Sequence, residues 1–73
     1  MLGLLIKEKE QLELQYVIKR ELEELLLDLE DHRIDKIVKQ SMKERYKVLF
    51  QLYARVAQEK DINRYLPQNV NIK

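Results

Sequence analysis

The chain predicts an all-α fold: a two-helix antiparallel hairpin that pairs with a second copy into a four-helix bundle. Three observations carry this expectation. No glycine or proline lies between Gly3 and Pro67, and Leu, Glu, Lys and Gln dominate a chain that is 45% hydrophobic and 37% charged, the composition of long amphipathic helices. The apolar positions form two stripes that do not share a phase. The charge is divided along the chain, with four Lys/Arg against nine Asp/Glu in residues 1–31 and ten against four in residues 32–73.

Phase is what demands a turn. At about 100° per residue, Leu4, Leu14, Ile18, Leu22, Leu25 and Leu29 fall within roughly 80° of one another. Val38, Met42, Leu49, Leu52, Tyr53 and Val56 form a second stripe about half a turn away. Supercoiling recovers about 20° per heptad, roughly 80° over the intervening four heptads, so about 100° of mismatch is left for one unbroken helix. A bend at Asp31–Asp35 removes it. The opposite charges of the two arms then favour their antiparallel pairing.

Taken in order, Met1 to Ile6 is apolar but far too short to cross a bilayer, and its glycine is the third residue, which rules out an N-myristoylation signal. The expected reading is a first helical turn whose Leu4 and Leu5 pack on a neighbour. Helix 1 is expected over about 4–31. Its polar side is Glu10, Glu13, Arg20, Glu21, Glu24, Asp28 and Asp31, while Leu5, Leu12, Tyr16 and Leu27 widen its apolar arc beyond what one partner helix covers.

The tip is expected at 31–35, with His32 and Arg33 near the negative C-terminal end of helix 1 and Asp35 as N-cap of helix 2. Helix 2 is expected over about 35–60, with Ile37, Val48, Phe50, Ala54 and Ala57 flanking its main stripe. Residues 61–66 add a short turn that Pro67 stops. Residues 67–73 read as a flexible C-terminal tail, and 1–66 as one helical domain.

A chain of 73 residues has a small core, and below about 70–80 residues such a core rarely supplies more than 3–5 kcal/mol by itself. Two over-wide apolar arcs therefore imply a second copy. Cysteine is absent, and neither a secretory leader nor a membrane span is readable, so a cytoplasmic setting is expected.

Chemistry is sparsely represented. Ser41 is the only Ser or Thr, there is one histidine and one glycine, and no Glu-x-x-His pair or phosphate loop occurs. His32 with Asp28, Asp31 and Asp35 reads as a solvated, capping tip. No catalytic, cofactor-binding or metal-binding residue is assigned, and an enzyme is not expected.

What remains is binding. Tyr46, Phe50 and Tyr53 with Arg45 form an aromatic ridge of the kind enriched at binding hot spots. The leading expectation is a small regulatory or adaptor protein that acts as a homodimer and binds another protein through its helix faces. The alternative uses Lys36, Lys39, Lys43, Lys47 and Arg55 as a basic face for nucleic acid. A structural coiled-coil segment follows if the chain does not bend.

Overall fold

The computed structural model of the protein describes residues 1–68 and Val70, and among these there are three helices and no strands. They are α1 (Glu8–Leu29), α2 (Lys36–Val56) and α3 (Glu59–Tyr65). The chain reverses between α1 and α2, and the two pack antiparallel: Arg45 meets Glu21 at 3.2 Å, while Gln11 near the start of α1 reaches the carbonyl of Val56 at the end of α2. A continuous helix is not formed.

Helix α1 starts at Glu8, later than expected, because that start suits its charges. The Lys7 amide donates to Glu10 Oε1 at 2.8 Å, and Glu8 and Glu10 sit in the first turn, where the helix dipole favours acids. Met1 to Ile6 have no regular structure and lie exposed. At its other end α1 tightens through Glu30 N–H to Leu27 and Asp31 N–H to Asp28.

The tip is built by one carboxylate. Asp31 accepts from the Arg33 amide at 2.9 Å and from the Arg33 guanidinium at 3.1 and 2.9 Å. These bonds hold the Asp31 carboxyl below its ordinary range. Asp35 then caps α2 by accepting from the Ile37 amide at 3.4 Å, the role its position before the second stripe suggests.

The core is Ile18, Leu22 and Leu25 of α1, Tyr46 and Tyr53 of α2, and Tyr65 of α3. The α1 stripe is the one its leucines spell out. The α2 stripe is rotated from the expected one: Tyr46 is fully buried, whereas Val38 is 50% and Leu52 42% exposed. The rotation follows from α3.

That third helix is the main departure from a plain hairpin. Instead of running on to residue 60, α2 stops at Val56, and Ala57 and Gln58 adopt extended backbone. Nothing local forces the break, since Arg55–Lys60 contains good helix formers. Tertiary bonds do. Gln11 and Gln15 both donate to the freed Val56 carbonyl, at 2.9 and 2.6 Å. Folding α3 back buries Tyr65, whose carbonyl accepts from the Tyr46 hydroxyl at 2.7 Å and whose own hydroxyl donates to Glu23 at 2.7 Å. The Tyr53 and Tyr65 rings meet edge to face at 5.6 Å.

Val70, in the stretch expected as a tail, is partly buried against this core. The rest of that expectation falls partly on residues 69 and 71–73, which lie outside the described residues. No described helix is long and apolar enough to cross a membrane.

Candidate functional site: the outer faces of the hairpin

Because α3 packs on one side of the α1/α2 pair, the two sides of that pair differ. On α1, Glu23, which takes the Tyr65 hydroxyl, and Val17 point to opposite sides of the buried meridian of Ile18, Leu22 and Leu25, each about 110–130° from it. One side is covered by α3. The other is open, and there Val17 of α1 is 55% exposed, with Val38 and Leu52 of α2 exposed on the same side by helical phase. Leu14, Leu49 and Val56 are half-buried along the same face, and the Glu21–Arg45 pair crosses it.

The second surface is a cleft between α1 and α3, of about 430 Å³, lined by Leu12, Gln15, Tyr16, Lys19, Arg20, Glu23, Tyr53 and Asp61. Its rim carries two large exposed side chains, Leu12 at 59% and Tyr16 at 49%. The Arg20 guanidinium lies 6.0 Å from the Tyr16 ring centre, within cation–π range, and also pairs with Glu24 at 3.8 Å. The floor is Tyr53, whose hydroxyl pKa is raised first by desolvation and then by the Asp61 charge. Such a cleft offers apolar area, an aromatic face and charges of both signs.

The residues singled out from the sequence fall in different places. Tyr46 and Tyr53 are core residues, and burial pushes the Tyr46 hydroxyl up to about 12. Phe50 is half-buried against the same cluster. Arg45 remains largely exposed, held by Glu21. The aromatic ridge is therefore not presented outward. An exposed aromatic with an arginine does exist, but it is Tyr16 with Arg20 on α1. The legible signal was their i, i+4 spacing, with Leu12 one turn earlier.

The basic residues stand partly together. Lys36, Lys43 and Lys47 lie within about 40° of one meridian of α2, with Lys39 about 60° to one side and Arg55 about 100° to the other. Among the described residues none of the five lies within ion-pair distance of a carboxylate, although Lys39 is near enough to Asp31 to help lower its pKa. At the tip, His32 is exposed. Among the described residues no group of three or more His, Asp or Glu converges on a point that could hold a metal ion.

No protein-family model matches the chain, and neither the curated proteins nor the solved structures compared with it include a significant match.

Proposed function

We propose that the protein is a small regulatory or adaptor module that works as a homodimer and binds another protein through its helix faces, with the α1/α3 cleft as the site of recognition. The observation that carries this reading is the Tyr16–Arg20 pair standing with Leu12 on the rim of that cleft, large side chains held in solvent by a helix that buries its opposite meridian. Tyrosine and arginine dominate binding hot spots because each brings area and a polar or charged group at modest entropic cost. The test is capture from a native lysate by the parent and by Tyr16→Ala and Arg20→Ala. Both positions are exposed, so the variants keep the parent's helical content. Nuclease-resistant capture by the parent that drops at least tenfold in each variant supports the reading; capture unchanged by both overturns it.

A second reading has an observation of its own, the lysines of α2 that among the described residues have no carboxylate within ion-pair distance. If Lys36, Lys39, Lys43 and Lys47 line a phosphate backbone, affinity derives from counterion release and falls steeply between 50 and 200 mM salt. The triple variant of Lys39, Lys43 and Lys47 to Gln then loses binding to generic RNA or DNA. Under the leading reading that variant keeps its protein partner.

A further inference from the structure

We infer that the open face of the α1/α2 pair is covered by a second copy of this chain, laid so that α1 of each copy packs on α2 of the other, antiparallel. The inference rests on the homodimer in the reading above and commits it to one surface and one arrangement. The face is apolar on either side of the Glu21–Arg45 pair that crosses it, with Val17, Val38 and Leu52 exposed and Leu14, Leu49 and Val56 half-covered.

Its size suits a dimer. Helix α1 has 22 residues, about 33 Å at 1.5 Å each, and a pair of helices is about 20 Å across. A face of that outline buries about 1,300 Å² over both copies, above the roughly 1,000 Å² that a specific interface needs.

Charge selects the arrangement. On the α1 side of the face stand Glu10, Glu21, Glu24 and Asp28, of which Glu24 is also paired with Arg20; on the α2 side stands Arg45. Two-fold axes lying in the plane of the face can run across the helices or along them. An axis across them stacks α1 on α1 and sets four acids against four acids. An axis along them stacks α1 on α2 of the partner and keeps each residue at its own height. Glu21 and Arg45 are level within one chain, so each Arg45 also faces the Glu21 of the other copy. Opposite charges facing one another fix the register, and like charges exclude the alternative. A consequence is that both α1/α3 clefts stay open on the outside, so the dimer displays Tyr16 twice.

The absence of cysteine makes the test clean. Chains carrying Val17→Cys and chains carrying Leu52→Cys are prepared separately, each checked for helical content, and treated with a short bismaleimide alone and as an equimolar mixture after exchange. The α1-on-α2 arrangement gives a covalent dimer from the mixture at a level at least fivefold above either variant alone. Val17→Cys linking to itself as well as the mixture does means α1 on α1 and overturns the inference. So does a parent that sediments as a dimer while no pair links, which puts the dimer on another surface and leaves the homodimer reading standing. A parent that sediments as a monomer removes both the homodimer and the arrangement. If Val17→Asp then also abolishes lysate capture, the face belongs to a different protein.

Discussion

Three tyrosines do at the residue level what a larger core would otherwise do. Tyr46 gives its hydroxyl proton to the buried carbonyl of Tyr65, whereas Tyr65 gives its own to Glu23, an exposed carboxylate. The two hydroxyls are therefore unequal. Tyr46→Phe strands a buried acceptor and should cost about 1–3 kcal/mol, while Tyr65→Phe releases Glu23 to water and should cost about 1 kcal/mol; urea unfolding of both variants checks the order. Burial raises Tyr46 to about 12, and burial followed by the Glu23 bond raises Tyr65 to about 12. Both folded values lie above the ordinary 10, so the neutral form is the one the fold favours. The stability they contribute is complete below pH 10 and is lost as pH rises from 10 through about 12. Tyrosinate absorbance and helical circular dichroism should then change together over that window; ionisation of all tyrosines near pH 10 with the helices intact would contradict the packing described. None of this pairing was legible in the sequence. A tyrosine on an apolar stripe predicts burial or a wet tip equally well, and only the return of α3 supplies the partners.

At the scale of elements, the buried stripe of the first helix and the tip could be read from the chain, but the start of the first helix and the end of the second could not. Ile18, Leu22 and Leu25 declare the buried meridian of α1 by spacing alone, and Asp35 declares a cap by standing before an apolar run. The stop at Val56 has no such sign, because it is held by Gln11 and Gln15, 45 and 41 residues away. The same distance hid the rotation of α2, which turns Tyr46 inward and leaves Val38 and Leu52 facing out. The two glutamines share one acceptor, so each covers for the other. Gln11→Ala and Gln15→Ala should each cost under about 0.5 kcal/mol, and the pair together more than their sum, by about 1 kcal/mol. Additive effects in a double-mutant cycle would mean the Val56 carbonyl does not depend on them. At the tip, Asp35→Ala should cost about 0.5–1 kcal/mol, the low end for a cap, given its 3.4 Å bond. The Asp31 carboxyl is held low by Arg33, so its contribution is present above its ordinary pKa and is lost as pH falls through the lowered value.

The whole molecule measures 40 × 26 × 18 Å and joins a small, tyrosine-rich core to large apolar side chains left outside it. The sequence made that excess visible, since arcs too wide for one neighbour can be counted on a helical wheel. It could not say which side chains the excess comprises, because α3 takes one face of the hairpin and thereby decides that Val17, Val38 and Leu52 stay bare and that Tyr16 and Arg20 flank a cleft. The aromatic residues first singled out on α2 are mostly spent on that core. Sedimentation equilibrium at micromolar concentration, on the parent and on Val17→Asp, tests the proposal that the bare face pairs two copies. Twice the 8.9 kDa chain mass is predicted for the parent, and a single chain mass with helices retained for the variant. A parent that sediments as one folded chain at these concentrations would contradict it.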